Sequence, residues 1–166
     1  MCGMRRLKAV AGSLLFLLVA PGVVAGLIPW LMTGYKGGDP VLALQIVGGA
    51  LVLAGAPVLL DSFARFALQG LGTPAPVAPT EGLVITGLYR HVRNPMYLAV
   101  TSLIGGQALL LGRYGLLIYA AGLLAIFIGF VRLYEEPALE ADHGDEYLAY
   151  KRAVPGLWPR LRAWEP

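Results

Sequence analysis

The chain has one cysteine, Cys2, and two histidines, His91 and His143. A single thiol excludes an internal disulfide, a cysteine-based zinc site and a thiol relay. Two imidazoles are too few for the histidine-rich metal sites of membrane desaturases. Glu140-Ala141-Asp142-His143 has the Glu-x-x-His spacing of carboxylate di-iron sites, but those need a second such motif and further glutamates, so no metal is expected. No Gly-x-Gly-x-x-Gly run follows a strand-like segment, which excludes a Rossmann cofactor domain. Charge is also scarce, at 14% of residues against 57% hydrophobic. With a mean hydropathy of +0.68, the chain falls among membrane proteins. Its 166 residues leave no room for a separate soluble catalytic domain, so a single membrane domain over 1–166 must build any site from its helices and their edges.

A helix crosses the hydrocarbon with about 20 apolar residues. Four stretches approach that length, at about 9–32, 41–60, 96–111 and 116–131. The expected fold is therefore all-α, a polytopic membrane protein with four transmembrane helices and a short cytoplasmic C-terminal helical segment. Pro21, Pro29 and Pro57 are expected to kink the first two spans. Only Gly112-Arg113-Tyr114-Gly115 joins the last two, which predicts a tight antiparallel hairpin. With the N-terminus inside, eleven Lys and Arg fall on the cytoplasmic side and two, Lys36 and Arg113, on the other. This bias supports both termini in the cytoplasm, and it accounts for the net charge of +3 without nucleic-acid binding. A cleaved signal peptide is the alternative for the first stretch, given Arg5, Arg6 and Lys8 ahead of Val23-Val24-Ala25-Gly26. The apolar run continues past Trp30 and is too long for one.

The least membrane-like part of the chain is 61–95. Asp61 to Phe66 forms an amphipathic stretch able to lie in the interface. The three prolines of 74–79 exclude regular helix or sheet there. Leu83-Val84-Ile85-Thr86-Gly87 reads as a short extended piece ending in a glycine turn, and Pro95 opens the third span with Asn94 as its N-cap. A helix N-terminus can hold an anionic group, and Arg90 and Arg93 add forked donors beside it. The same arginines, with Tyr89 and Tyr97, also read as ordinary interfacial anchors.

Past the fourth span come Glu135, Glu136, Glu140, Asp142, Asp145 and Glu146, six of the ten carboxylates. Glu135 and Glu136 stand within about one turn of the bilayer edge, where a carboxylate can grip an ammonium or a ribose diol; a plain helix end before Pro137 is the competing reading. After a break at Gly144, a short helix bearing Tyr147 and Tyr150 is expected to pack back on the membrane domain.

The ordered set Leu83-Val84, Gly87-x-Tyr89, Arg93-Asn94-Pro95-x-Tyr97, a hydrophobic hairpin, Glu135-Glu136, Leu139, Gly144-x-x-Tyr147-x-x-Tyr150 and Val154-Pro155 resembles the isoprenylcysteine carboxyl methyltransferase family and its phospholipid N-methyltransferase relatives. These are integral membrane enzymes that use S-adenosylmethionine. The match covers about half of the chain, and its cofactor-site segments correspond to 81–97 and 132–155 here. Asn94 stands where the family pattern has a histidine, so it can hydrogen-bond but cannot shuttle a proton. By resemblance, Leu83, Val84, Tyr89, Asn94, Pro95, Met96 and Tyr97 would line a cofactor pocket, and Glu135, with Glu136 as the second member of the pair, would bind S-adenosylmethionine. Arg132, one position from a family arginine, would serve the acceptor as the catalytic-site residue.

The resemblance implies methyl transfer to a lipid-like or prenylated acceptor, in the cytoplasmic membrane of a prokaryote. Such a displacement chiefly needs alignment and desolvation. A carboxylate acceptor is already ionised near neutral pH, whereas an ammonium must first lose a proton. With no obvious base, an isoprenylcysteine-type carboxylate is the favoured acceptor. Two alternatives stand beside this reading: a nicotinamide-dependent membrane lipid reductase, since sterol reductases resemble the C-terminal half, and a non-catalytic membrane scaffold.

Overall fold

In lipid every backbone N–H and C=O must be paired within its own segment, so apolar runs of this length fold as helices. The computed structural model describes residues 2–68 and 82–165, with side chains from Ala11 onward, and holds no strand among them. α1 (Cys2–Gly22) passes through a π-helical turn (Val23–Leu27) into α2 (Ile28–Thr33), and α3 follows at Leu42–Leu68. A 3-10 turn (Gly87–Arg90) precedes α4 (Pro95–Leu111). α5 (Gly115–Phe130) runs through a second π-helical turn (Val131–Glu135) into α6 (Glu136–Ala153). Three continuous helices, Ala11–Thr33, Leu42–Leu68 and Gly115–Ala153, are long and apolar enough to cross a membrane, and α4 is a shorter apolar helix. The large side chains they leave uncovered, such as Leu18, Leu31, Leu53 and Ile118 at 66–78% exposure, suit a surface bathed in lipid rather than water.

Each π turn is followed two residues later by a proline, Pro29 after Leu27 and Pro137 after Glu135. Proline has no N–H to donate, and its ring collides with the carbonyl four residues back. The wider π turn relieves that collision, so the helix continues through Pro137 where a helix end is the competing expectation. Carbonyls at the first π turn are taken by side chains. Tyr119 Oη donates to Val24 O at 3.0 Å, Gln107 Nε2 to Ala25 O at 2.8 Å and Tyr35 Oη to Gly26 O at 3.0 Å.

Pro57 lies within α3, which runs unbroken to Leu68. The 61–66 stretch is therefore the end of that helix and not a separate interfacial piece. Tertiary packing decides this: Ser62 and Phe63 are buried, and Phe63 meets Phe16 with ring centroids 6.0 Å apart. The proline-rich turn expected at 74–79 lies outside the described residues.

α4 is the centre of the bundle. Its Ala99, Val100, Ile104 and Ala108 form one cluster with Leu59 and Phe63 of α3 and Leu116 and Ala120 of α5, and Phe16 and Leu17 of α1 pack against it. Gly48 faces Gly106 and Gly55 faces Ala99, a register that runs antiparallel. The expected hairpin forms at Gly112, whose left-handed φ of 61° lets its N–H return to the α4 C-terminus.

α6 bends at Gly144 (φ 50°, ψ −124°), a backbone state open chiefly to glycine. The bend brings Tyr147 and Tyr150 into a second buried cluster with Val154, packed by Leu83, Ile85, Leu139 and Trp164. Beyond Ala153 the chain is a non-helical strap over 154–165, which follows the C-terminal helical segment that the sequence reading expects.

Candidate functional site

The strap is laid along 90–94 by backbone pairing. Arg93 N–H donates to Pro155 O at 2.9 Å, Asn94 N–H to Gly156 O at 3.2 Å, Arg160 N–H to His91 O at 2.9 Å and Trp164 N–H to Arg90 O at 2.9 Å. Side chains add to it: Arg90 Nε to Trp164 O at 2.6 Å, His91 Nδ1 to Arg160 O at 2.8 Å and Asn94 Nδ2 to Gly156 O at 3.1 Å. Asn94 holds the N-cap position of α4, as expected, but its side chain makes no capping bond. The amide is turned to the strap instead.

Inside the strap, Arg93 ties its own segment to α6 and to the strap. Its Nε donates to Val154 O at 2.9 Å, and its Nη1 donates to Glu136 Oε1 at 2.6 Å and to Tyr147 Oη at 3.0 Å. Lys151 Nζ reaches the other Glu136 oxygen at 2.8 Å. The Arg93 and Glu136 side chains are only 13% and 14% exposed, so this pair is largely withdrawn from solvent and each charge depends on the other.

The uncharged run of the last long helix ends at Val131, and the polar groups that follow lie beyond it. Burial alone would raise the Glu136 carboxyl, but hydrogen bonds from Lys151 and Arg93 and their charges outweigh it and hold the group below the ordinary carboxylate value. Glu135 is the reverse. Burial raises its carboxyl, the Tyr97 hydrogen bond opposes, and the Glu136 charge adds to the rise. Tyr97 Oη donates to Glu135 Oε1, and its ring stacks on Phe127 with centroids 4.4 Å apart.

Between the α4 N-terminus, the α5 C-terminus and the strap lies a cavity of about 220 Å³. Of the residues singled out from the sequence, Arg93, Asn94, Tyr97, Arg132 and Glu136 line it. Glu135 stands beside it, bonded to Tyr97. The others lie around the cavity and not on its wall. Pro95 is buried, Met96 packs on the bundle core, Leu83 packs on Tyr147 and Tyr150, and Val84 is half-buried. Tyr89 is buried against Phe66, and its carbonyl accepts from Tyr150 Oη at 2.6 Å. Arg132 is exposed and has no ion pair or hydrogen bond among the described residues.

Wall residues that the sequence reading passes over are Phe127, Ile128, Val131, Gly156, Leu157 and Trp158. Arg93 carried a usable signal, as a forked donor beside the α4 N-terminus. Leu157 and Trp158 carried none, because the strap that delivers them is made by backbone carbonyls.

Helices long enough to cross a membrane, with a cavity that mixes charged and apolar side chains at one end of the central helix, define a membrane protein with a candidate site at the edge of its apolar zone. The profile of the phospholipid methyltransferase family matches residues 44–146, more than half of the chain, and the protein belongs to that family. Comparison with curated proteins and with solved structures gives no match.

Proposed function

We infer that this protein is an S-adenosylmethionine-dependent methyltransferase of the membrane, acting on a lipid-like acceptor, with an isoprenylcysteine-type carboxylate favoured. The observation that carries the reading is the convergence, within the family-matched residues, of Arg93, Asn94, Tyr97, Arg132 and Glu136 on one cavity. The donor set suits a nucleoside that carries an amino acid. Glu135 keeps one carboxylate oxygen without a hydrogen-bond partner among the described residues for an ammonium or a ribose diol, and the Tyr97–Phe127 stack offers an aromatic wall to a cationic centre. A volume of about 220 Å³ is below the range of about 300–1,000 Å³ typical of small-molecule sites. It therefore encloses one end of such a ligand, with Trp158, 82% exposed, at its rim.

Bound S-adenosylmethionine supplies the activated methyl group, and the chain's own part is to align and desolvate. Arg132 lies on the wall with its charge unpaired among the described residues, which complements an acidic acceptor head. Its place inside the π turn Val131–Glu135 bears on the one-position offset from the family arginine, since a π turn adds one residue to a helical turn. The spans at about 9–32, 41–60, 96–111 and 116–131, with both termini cytoplasmic in a prokaryotic membrane, would let a lipid enter from the bilayer and the cofactor from the aqueous side.

A second reading, a phospholipid amine as acceptor, is favoured by the family and by Glu135. A carboxyl raised above its ordinary value is better matched than a normal one to take a proton from an ammonium.

Thermal stabilisation of the purified protein by S-adenosylmethionine, S-adenosylhomocysteine and NADPH tests the core of the reading, with Glu135→Ala as control. A ligand at 100 times its Kd adds about 2.7 kcal/mol. A shift with the two adenosyl compounds that is lost in the variant supports it; a shift with NADPH alone points to a reductase, and no shift at all to a scaffold. Methyl transfer to a farnesylated cysteine or to phosphatidylethanolamine then separates the two acceptors.

A further inference from the structure

We propose that Arg93 is a carboxylate-binding residue of the cavity, presenting its Nη2 amino group to the ligand, and that Glu136 with Lys151 is the positioning pair that holds it there. The identity of the ligand rests on the methyltransferase reading; the geometry of Arg93 does not.

An arginine side chain carries five N–H donors. In Arg93 three are committed: Nε to Val154 O, and Nη1 to Glu136 and Tyr147. Nη2 has no partner among the described residues. It is not closed off either, because among those residues the only buried side-chain polar atom lacking a partner is Gln107 Oε1. Its position is fixed by Gly156, where an added Cβ would lie 3.4 Å from Nη2, and both Gly156 and Arg93 line the cavity. Two donors of a guanidinium that is itself 13% exposed are thus left at a cavity wall. Fastening the strap uses Nε and the backbone, holding α6 uses Nη1, and Nη2 is left over.

The ion pairs leave room for an anion at Arg93. Glu136 divides its two oxygens between Arg93 at 2.6 Å and Lys151 at 2.8 Å, and Lys151 also meets Glu140 at 3.9 Å, so Glu136 is the one carboxylate paired with Arg93 among the described residues. The N–H groups of the first α4 turn, which Asn94 does not cap, favour a further anion beside it. A carboxylate placed there completes the guanidinium. Both the amino-acid end of the cofactor and the acidic head of an acceptor offer this group.

The test compares binding of S-adenosylmethionine and of its decarboxylated form to the purified full chain in detergent. The expected preference for the carboxylated ligand is about 10–100-fold, the range of a charge-assisted contact. Arg93→Lys keeps the charge and loses the fork. It should reduce that preference by about tenfold or more while the decarboxylated ligand binds within about twofold of wild type. Glu136→Gln should reduce the preference by a smaller factor and Glu136→Asp restore part of it, which a merely structural role would not do.

If Arg93→Lys leaves this preference intact but raises the KM of an acidic acceptor by about tenfold, with kcat held, the carboxylate belongs to the acceptor and the assignment still stands. Equal binding of the two ligands by the wild type, with no acceptor effect, overturns the assignment while leaving the methyltransferase reading in place. So does an Arg93→Lys variant that weakens both ligands equally. Binding of neither ligand to the wild type removes the methyltransferase reading, and the carboxylate assignment falls with it.

Discussion

At the α3–α4 seam the backbones approach directly: a Cβ at Gly48 would lie 2.7 Å from Gly106 O, and one at Gly106 would lie 2.7 Å from Gly48 O. At the N-terminal end of the same α4, the junction with the strap has no comparable glycine contact. It is made of a shared carboxylate, two cations and backbone carbonyls. The seam lies where lipid surrounds the helices, so burying apolar surface gains little and close packing of small residues must hold the pair. The junction lies past the uncharged run, where hydrogen bonds and ion pairs compete with water and survive by being withdrawn from it. One helix thus joins a part held by shape to a part held by charge.

Removing the shared carboxylate tests the second part most severely. Glu136→Ala leaves Arg93 without its anion in a largely buried setting, and the expected loss is about 3–5 kcal/mol, read as a fall in unfolding midpoint in detergent. Protease cleavage at Arg160 or Arg162 should accelerate with it, because the strap is tied through Arg93 and Asn94. If cleavage is unchanged while the midpoint falls, the junction supports the bundle and not the strap, and the division into two parts fails.

The seam is tested by two adjacent glycines. Gly106→Ala drives a Cβ into Gly48 O and Val52 Cγ2, both at 2.7 Å, and overpacking of this kind costs about 1–3 kcal/mol. Gly105→Ala meets nothing within 4 Å and should be neutral or stabilising by up to about 1 kcal/mol. Equal effects of the two on the unfolding midpoint would mean that the seam is not held by close approach.

How far each part could be read in the sequence follows from what holds it. The apolar runs at 41–60, 96–111 and 116–131 agree with α3, α4 and α5 to within a few residues, except that α3 extends to Leu68. The Gly112 and Gly144 turns were legible because each needs a backbone state that glycine favours. Both π turns were hidden, since Pro29 reads as a kink and Pro137 as a candidate helix end, and nothing local shows that a wider turn absorbs them. The strap was hidden for another reason. Its partners on 154–156 are carbonyls, which every residue owns, so no side-chain pattern announces that Arg93 and Asn94 reach across 61 and 62 positions to them.

A smaller effect is expected where the second buried cluster meets the site. Tyr150→Phe leaves the Tyr89 carbonyl without its 2.6 Å donor, a loss of about 1–2 kcal/mol for a buried acceptor. The tyrosine rings would still pack, so the midpoint should fall without faster cleavage of the strap. Faster cleavage would place Tyr150 in the junction along with Arg93.

The smallest effect separates the adjacent glutamates by sign. Glu136 is held below its ordinary carboxylate value, so its contribution to stability is present above the unfolded pKa and is lost as the pH falls through the folded one. Glu135 is held above its ordinary value by burial. Its contribution is present below the unfolded pKa and is lost as the pH rises through the folded one. In the ligand-free protein near pH 7, Glu135→Gln should therefore raise the midpoint slightly, with Gln still accepting from Tyr97, and the gain should vanish as the pH falls below the ordinary carboxylate value. Glu136→Gln should lower the midpoint at neutral pH, and that loss should shrink toward acid. Parallel pH profiles for the two variants would show that neighbouring carboxylates share one environment. Opposite profiles would mean that the chain keeps Glu136 for the junction and holds Glu135 ready for an ionic partner that the folded protein alone does not supply.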